Sequence, residues 1–177
     1  LFVWGGLAHT VLGLGQVGVQ YLPQQQPVMT TLKASVPQAG FYFFPQPDKS
    51  MKFPADEIGG PYGIMIYHAA GAGGSMAGQL LSELVLNVVL ALLAAYLLSL
   101  ATGLTGYGAR VGFVTGVGLI AGLITNVQYW NWYGFPQSYT LAAIFVVVVG
   151  FLLIGLIAAA LVKAPVRSIA AVPARAA

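Results

Sequence analysis

The chain has 177 residues, 58% of them hydrophobic and only 6% charged, with a formal net charge of +3 and no cysteine. A water-soluble domain carries about 25% charged residues, so composition excludes a protein that covers its surface in water and leaves an integral membrane protein of one compact unit. The small, scattered positive charge excludes nucleic-acid binding, and the lack of cysteine excludes disulfides, thiolate metal sites and iron–sulfur clusters.

In chain order, residues 1–21 (LFVWGGLAHTVLGLGQVGVQY) are apolar and are expected to be the outer part of a first transmembrane span. Residue 1 is Leu and the apolar run starts at once, so the numbering is expected to open inside a helix. Gly5, His9 and Gly13 recur every fourth residue, which places His9 on a face built for close packing rather than one facing lipid.

Residues 22–75 form the one long polar excursion and hold most of the ten prolines. Pro27 can open a short helix with Val28 and Leu32 on one side. Gly40–Phe44 (GFYFF) and Tyr62–Tyr67 (YGIMIY) are aromatic and β-branched runs bounded by Pro and Gly, the pattern of short strands. A loop this long without order of its own would be unusual, so a small folded cap on the membrane surface is expected. GAGGS, residues 71–75, reads as a flexible joint into the next helix.

Three more spans follow, at about residues 76–100, 109–130 and 139–162. The third has both ends marked. Arg110 stands at one, and Tyr129, Trp130, Trp132, Tyr133 and Phe135 at the other, with about twenty residues or roughly 30 Å between them. Trp130, Trp132 and Tyr133 are read as interfacial anchors, because Tyr and Trp collect at headgroup level. Gly118, Gly122 and Asn126, with Thr115 beside them, give this helix a face that admits a close neighbour. Gly108, Gly112 and Gly116 form a GxxxG repeat, expected to pack inside the bundle in preference to another subunit. Residues 163–177 are a basic, Ala- and Pro-rich tail. Arg110, Lys163, Arg167 and Arg175 then flank one side, which the positive-inside rule makes cytoplasmic. The cap and the WNWYGFP turn share the outer side and are expected to touch. The fold class is thus an all-α membrane protein of four transmembrane helices, with a small mixed α/β extracytoplasmic excursion between helices 1 and 2.

Chemistry has few candidates. Gln16, Glu83, Asn87 and Asn126 all fall in the outer half of the bilayer, and Glu83 is the one acid inside a span. An ionised carboxylate costs about 2.5–3.5 kcal/mol at a helix centre. Glu83 is therefore either a proton-accepting or ligand-orienting group beneath the cap, or a protonated acid bonded to Asn87 or Asn126 as helix glue. His9 is the best single ligand candidate, able in principle to hold a haem iron or a chlorophyll magnesium, or else a neutral imidazole bonded across helices. No cofactor is expected, and the spacing of His9, His68 and Glu83 supports no metal site. No Ser–His–Asp grouping, phosphate loop or zincin motif is present.

At FVWGGLAH (Phe2–His9), GFYFFP (Gly40–Pro45), YGIMIYH (Tyr62–His68) and YWNWYGFP (Tyr129–Pro136) the chain resembles a group of uncharacterised bacterial four-span membrane proteins. The shared pieces are a W-G-x-x-x-H run in a short N-terminal span and a WNWYGFP-like turn before the last span. The resemblance implies the four-span layout and a bacterial inner membrane, and it draws attention to Trp4, His9 and Trp130–Pro136. It transfers no activity. The expected role is non-catalytic: an accessory or scaffold subunit that packs, with other membrane subunits or copies of itself, in a larger assembly, respiratory or photosynthetic. The alternative is a small binding or transport protein for a lipid, quinone or pigment, using Gln16, Glu83, Asn87, Asn126 and His9.

Overall fold

The first apolar stretch does not make a full-length helix. In a computed structural model, which describes residues 1–50, 52–69 and 74–163, α1 covers Phe2–Gly6 and continues as a π-helical turn over Leu7–Val11, where the Leu12 N–H donates to the Leu7 carbonyl at 3.0 Å. Gly13 then adopts a left-handed backbone, φ 65°, open to glycine and costly for a residue with a Cβ, and the helix stops. Of residues 1–21, expected to be the outer part of a span, helix therefore occupies Phe2–Val11 and ends before Gly13. Its packed face also differs from the expected one. Leu1 and Trp4 lie against Gly150, and Ala8 is fully buried, whereas His9 is exposed and Gly5 and Gly13 border open space.

The excursion folds as a cap of one helix and one hairpin. Helix α2 spans Gln25–Ser35, with Pro27 in its first turn, where a missing N–H costs nothing. Strands β1 (Gly40–Phe44) and β2 (Gly63–Tyr67) pair antiparallel, with Tyr42 opposite Met65. The connecting loop is tied down at Asp48, whose Oδ1 accepts from the Ser50 hydroxyl (2.7 Å), the Ser50 N–H (2.8 Å) and the Lys52 N–H (3.0 Å). Residues 70–73, most of the expected joint, and 164–177, with Arg167 and Arg175 of the tail, lie outside the described residues.

Three helices are long and apolar enough to cross a membrane: α3 (Met76–Leu100), α4 (Tyr107–Tyr133) and α5 (Gln137–Leu161). This suggests a membrane protein. The Ser75 side chain caps α3 by accepting the Gly78 N–H at 3.1 Å. Helices α4 and α5 form the core. Apolar surfaces gain little by meeting each other in lipid, so contact depends on how closely backbones approach. The two helices meet through small residues: Gly118 faces Phe151, Gly122 faces Ile144 and Val147, and Gly155 lies on Val111 and Val114. Helix α3 joins only through its second half, where Ala94 and Leu98 are buried with Val111, Phe151 and Ala158. The repeat expected to pack in the bundle does not: Gly108, Gly112 and Gly116 each have open space where a side chain would stand. The bulky contact residues of α5 meet the Gly118–Gly122 face instead.

Arg110 was read from sequence as the marker of one helix end. It is also a buried clasp. Only 2% of it is exposed, and its guanidinium donates to the carbonyls of Val162 (2.7 Å) and Leu104 (3.3 Å). Those carbonyls lie just past the end of α5 and in the α3–α4 turn, so one side chain ties three segments at the end away from the cap.

Candidate functional site

Two places gather chemistry-bearing residues. The first is built on the reversal between α4 and α5. Gly134 takes a left-handed backbone, φ 70°, and its N–H and that of Phe135 both turn back to the Tyr129 carbonyl, ending α4 at Tyr133. This stop sets the aromatic cluster in one ladder. Tyr129 stacks on Phe135 (centroids 5.4 Å, interplanar 27°), and Phe135 leans on Tyr139 at 5.4 Å. Tyr133 meets the cap through Phe43 at 6.0 Å, and Phe41 meets Phe43 edge-on at 4.8 Å. The cap and the aromatic turn therefore touch, as the sequence led us to expect.

Between them opens a cleft of about 540 Å³. One wall is the hairpin, with Phe43, Phe44 and Ile64; another is the loop from Phe53 through Glu57 to Tyr62; the third is Trp132 and Tyr133 at the end of α4. Glu57 is the one charged side chain among the lining residues. Its backbone is fixed by two successive turns, the Glu57 N–H donating to Pro54 O and the Gly60 N–H to Glu57 O, each at 3.0 Å. Trp132 and Tyr62 are 76% and 80% exposed, so the cleft is open at its rim. Trp130 is half-exposed on the same last turns of α4.

The second place is the first half of α3. Asn87 Nδ2 donates to both the Oε1 and the backbone carbonyl of Glu83, each at 2.6 Å. Ser75, Gln79, Ser82, Glu83 and Leu86 line one shallow groove, and from Met76 to Leu86 every residue of the helix is exposed. At 1.5 Å per residue, Glu83 lies about 10 Å and Asn87 about 16 Å from the start of the helix.

The other sequence candidates are scattered. Asn126 Nδ2 donates to the Gly122 carbonyl on its own helix at 2.9 Å. Gln16 Oε1 accepts the Tyr21 hydroxyl at 3.4 Å. The His9 ring lies over Gly15, filling the space where a side chain there would be. Of the five, the structure brings together Glu83 and Asn87. Among the described residues no group of three or more His, Asp or Glu is assembled that could hold a metal.

Sequence reasoning did not single out Glu57 and Phe53, and it placed Tyr62 in a strand and not in a site. Their loop has no periodicity, and its one signal is an acidic turn (Asp56, Glu57) between aromatic residues and a Gly-Gly-Pro stop. No family model matches the chain, and neither a curated protein nor a solved structure matches it.

Proposed function

We propose that this chain is a non-catalytic accessory or scaffold subunit of a larger membrane assembly, and that the first half of α3 is its docking face. One observation carries this reading. A helix of membrane length takes a carboxylate–carboxamide pair, Glu83 and Asn87, into apolar depth, yet over that half it has no buried residue among the described ones. A polar pair facing lipid is costly, and a neighbouring helix that bonds to it removes the cost. The partner is another membrane subunit, with a second copy of this chain as the simplest case.

The same reading sets the chain in a bacterial inner membrane with the cap outside and the C-terminus cytoplasmic. The four basic residues Arg110, Lys163, Arg167 and Arg175 of the sequence, against Lys33, Lys49 and Lys52 in the cap, support that orientation. The first segment serves as a fourth membrane element, held beside α5 by the hydrogen bond from Trp4 Nε1–H to the Val146 carbonyl at 2.8 Å.

The chain has no cysteine, so a single thiol at Leu86→Cys reports on this face alone. The test is purification in mild detergent at native expression, with thiol cross-linking and mass spectrometry of what co-elutes. Stoichiometric co-elution and a cross-link from position 86 to a partner or a second copy are expected. A lone, uncross-linked monomer would overturn the proposal.

A further inference from the structure

The geometry points to a second role, separate from docking: the cleft between the hairpin and the end of α4 receives the ammonium headgroup of a membrane lipid. Aromatic faces attract cations within about 6 Å of the ring centroid, because the ring quadrupole places negative potential over the face. The cleft is lined by such aromatic residues, Phe43, Phe44, Phe53, Tyr62, Trp132 and Tyr133, and its one charged lining residue among the described ones is the acid Glu57. Among the described residues no lysine or arginine lines it. An anionic headgroup would find no cation there, and a purely apolar molecule would leave Glu57 facing hydrocarbon. An organic ammonium, primary or methylated, suits both the rings and the acid.

Placement selects a lipid as its source. Trp132 and Tyr133 end a helix long enough to cross the membrane, which sets the cleft where headgroups lie. Trp132 and Tyr62 stand largely exposed at the rim, so a headgroup can enter without moving the hairpin. The volume of about 540 Å³ falls within the roughly 300–1,000 Å³ of small-molecule sites and holds a phosphoammonium group with part of its glycerol. The Glu57 backbone is held by turns at both its N–H and its carbonyl, which fixes where on the cleft wall the acid is rooted.

The test uses the full chain in maltoside micelles, titrated calorimetrically with dihexanoyl phosphatidylcholine, phosphatidylethanolamine and phosphatidylglycerol. Saturable binding of the two ammonium-bearing lipids is expected, with phosphatidylglycerol silent. Glu57→Gln and Trp132→Ala are each expected to weaken binding about tenfold, roughly 1.4 kcal/mol. Both side chains are exposed, and unchanged circular dichroism and elution volume would show that the fold survives. Binding of phosphatidylglycerol equal to that of the other two, or unchanged affinity in both variants, would overturn the proposal. So would tetramethylammonium chloride binding as tightly as the lipids, which would make the ligand a free cation, and so would the absence of saturable binding by any of them.

Discussion

Asn87 gives its side-chain amide to a single residue, bonding the Oε1 and the backbone carbonyl of Glu83. Both bonds run along one helix, so the pair is partly satisfied before any neighbour arrives. A glutamine retains the acceptor that Asn87 uses. Glu83→Gln should therefore change stability by less than about 0.5 kcal/mol in detergent unfolding, and a loss above about 2 kcal/mol would mean that the negative charge itself is required. Asp48 works differently, in water. The Ser50 hydroxyl foremost, then the Lys52 N–H, hold its carboxyl below its ordinary value. The folded loop thus favours the charged form. That contribution is present at neutral pH and is lost as pH falls through the lowered folded-state value, below the ordinary range near about 4. Relative to the intrinsic rate at each pH, the amides of Ser50 and Lys52 should be protected from exchange at pH 7 and lose that protection in strong acid. In Asp48→Asn that protection should no longer change with pH over this range; an unaltered protection profile would place the effect elsewhere.

At the scale of elements, two glycine faces on α4 compete, and spacing does not choose between them. Gly116 and Gly118 stand about 200° apart around the helix, so if one row meets α5 the other looks away. The choice falls to Phe151, whose side chain occupies the space beside Gly118. Gly118→Ala would drive a methyl into that ring and should cost about 1–3 kcal/mol. Gly112→Ala meets nothing within 4 Å and should be neutral, or stabilising by up to about 1 kcal/mol through helix propensity. Detergent-unfolding curves of the two variants decide it, and the reverse order would put the other face inside. Arg110 is the other element-scale device. Arg110→Met should loosen the end of α5 by about 1.5–3 kcal/mol, the worth of hydrogen bonds from a charged donor, visible as faster amide exchange at Leu161 and Val162; unchanged exchange would reduce Arg110 to filler.

For the whole molecule, length and hydropathy made the three long helices legible, because crossing a bilayer demands both. The hairpin was legible too, since its strands are bounded by Pro and Gly and rich in aromatic residues. The break at Gly13 was not: in a segment this rich in glycine, nothing local distinguishes the residue that turns left-handed from Gly5 or Gly6, which stay near or within helix. The cleft was not legible either. Phe43, Glu57, Tyr62 and Trp132 are brought together by a hairpin register and a helix stop, and no periodicity records that meeting. Nor could hydropathy tell that the first half of α3 would lack a neighbour, because a lipid-facing helix and a partner-facing one are equally apolar. Trp4→Phe should free the first segment from α5 at a cost of about 1 kcal/mol, and a thiol pair at Leu1 and Gly150 should then cross-link more slowly; an unchanged rate would mean the segment is held by packing alone.

The bond from Trp4 to Val146 joins residues 142 positions apart. During synthesis at about 5–20 residues per second, the first segment waits about 7–28 s before its acceptor exists. Its indole N–H has no seat on α5 in that interval. Helix α5 thus decides where the segment around Trp4 settles, and a nascent chain cut off before α5 would present that segment unplaced to chaperones and membrane proteases.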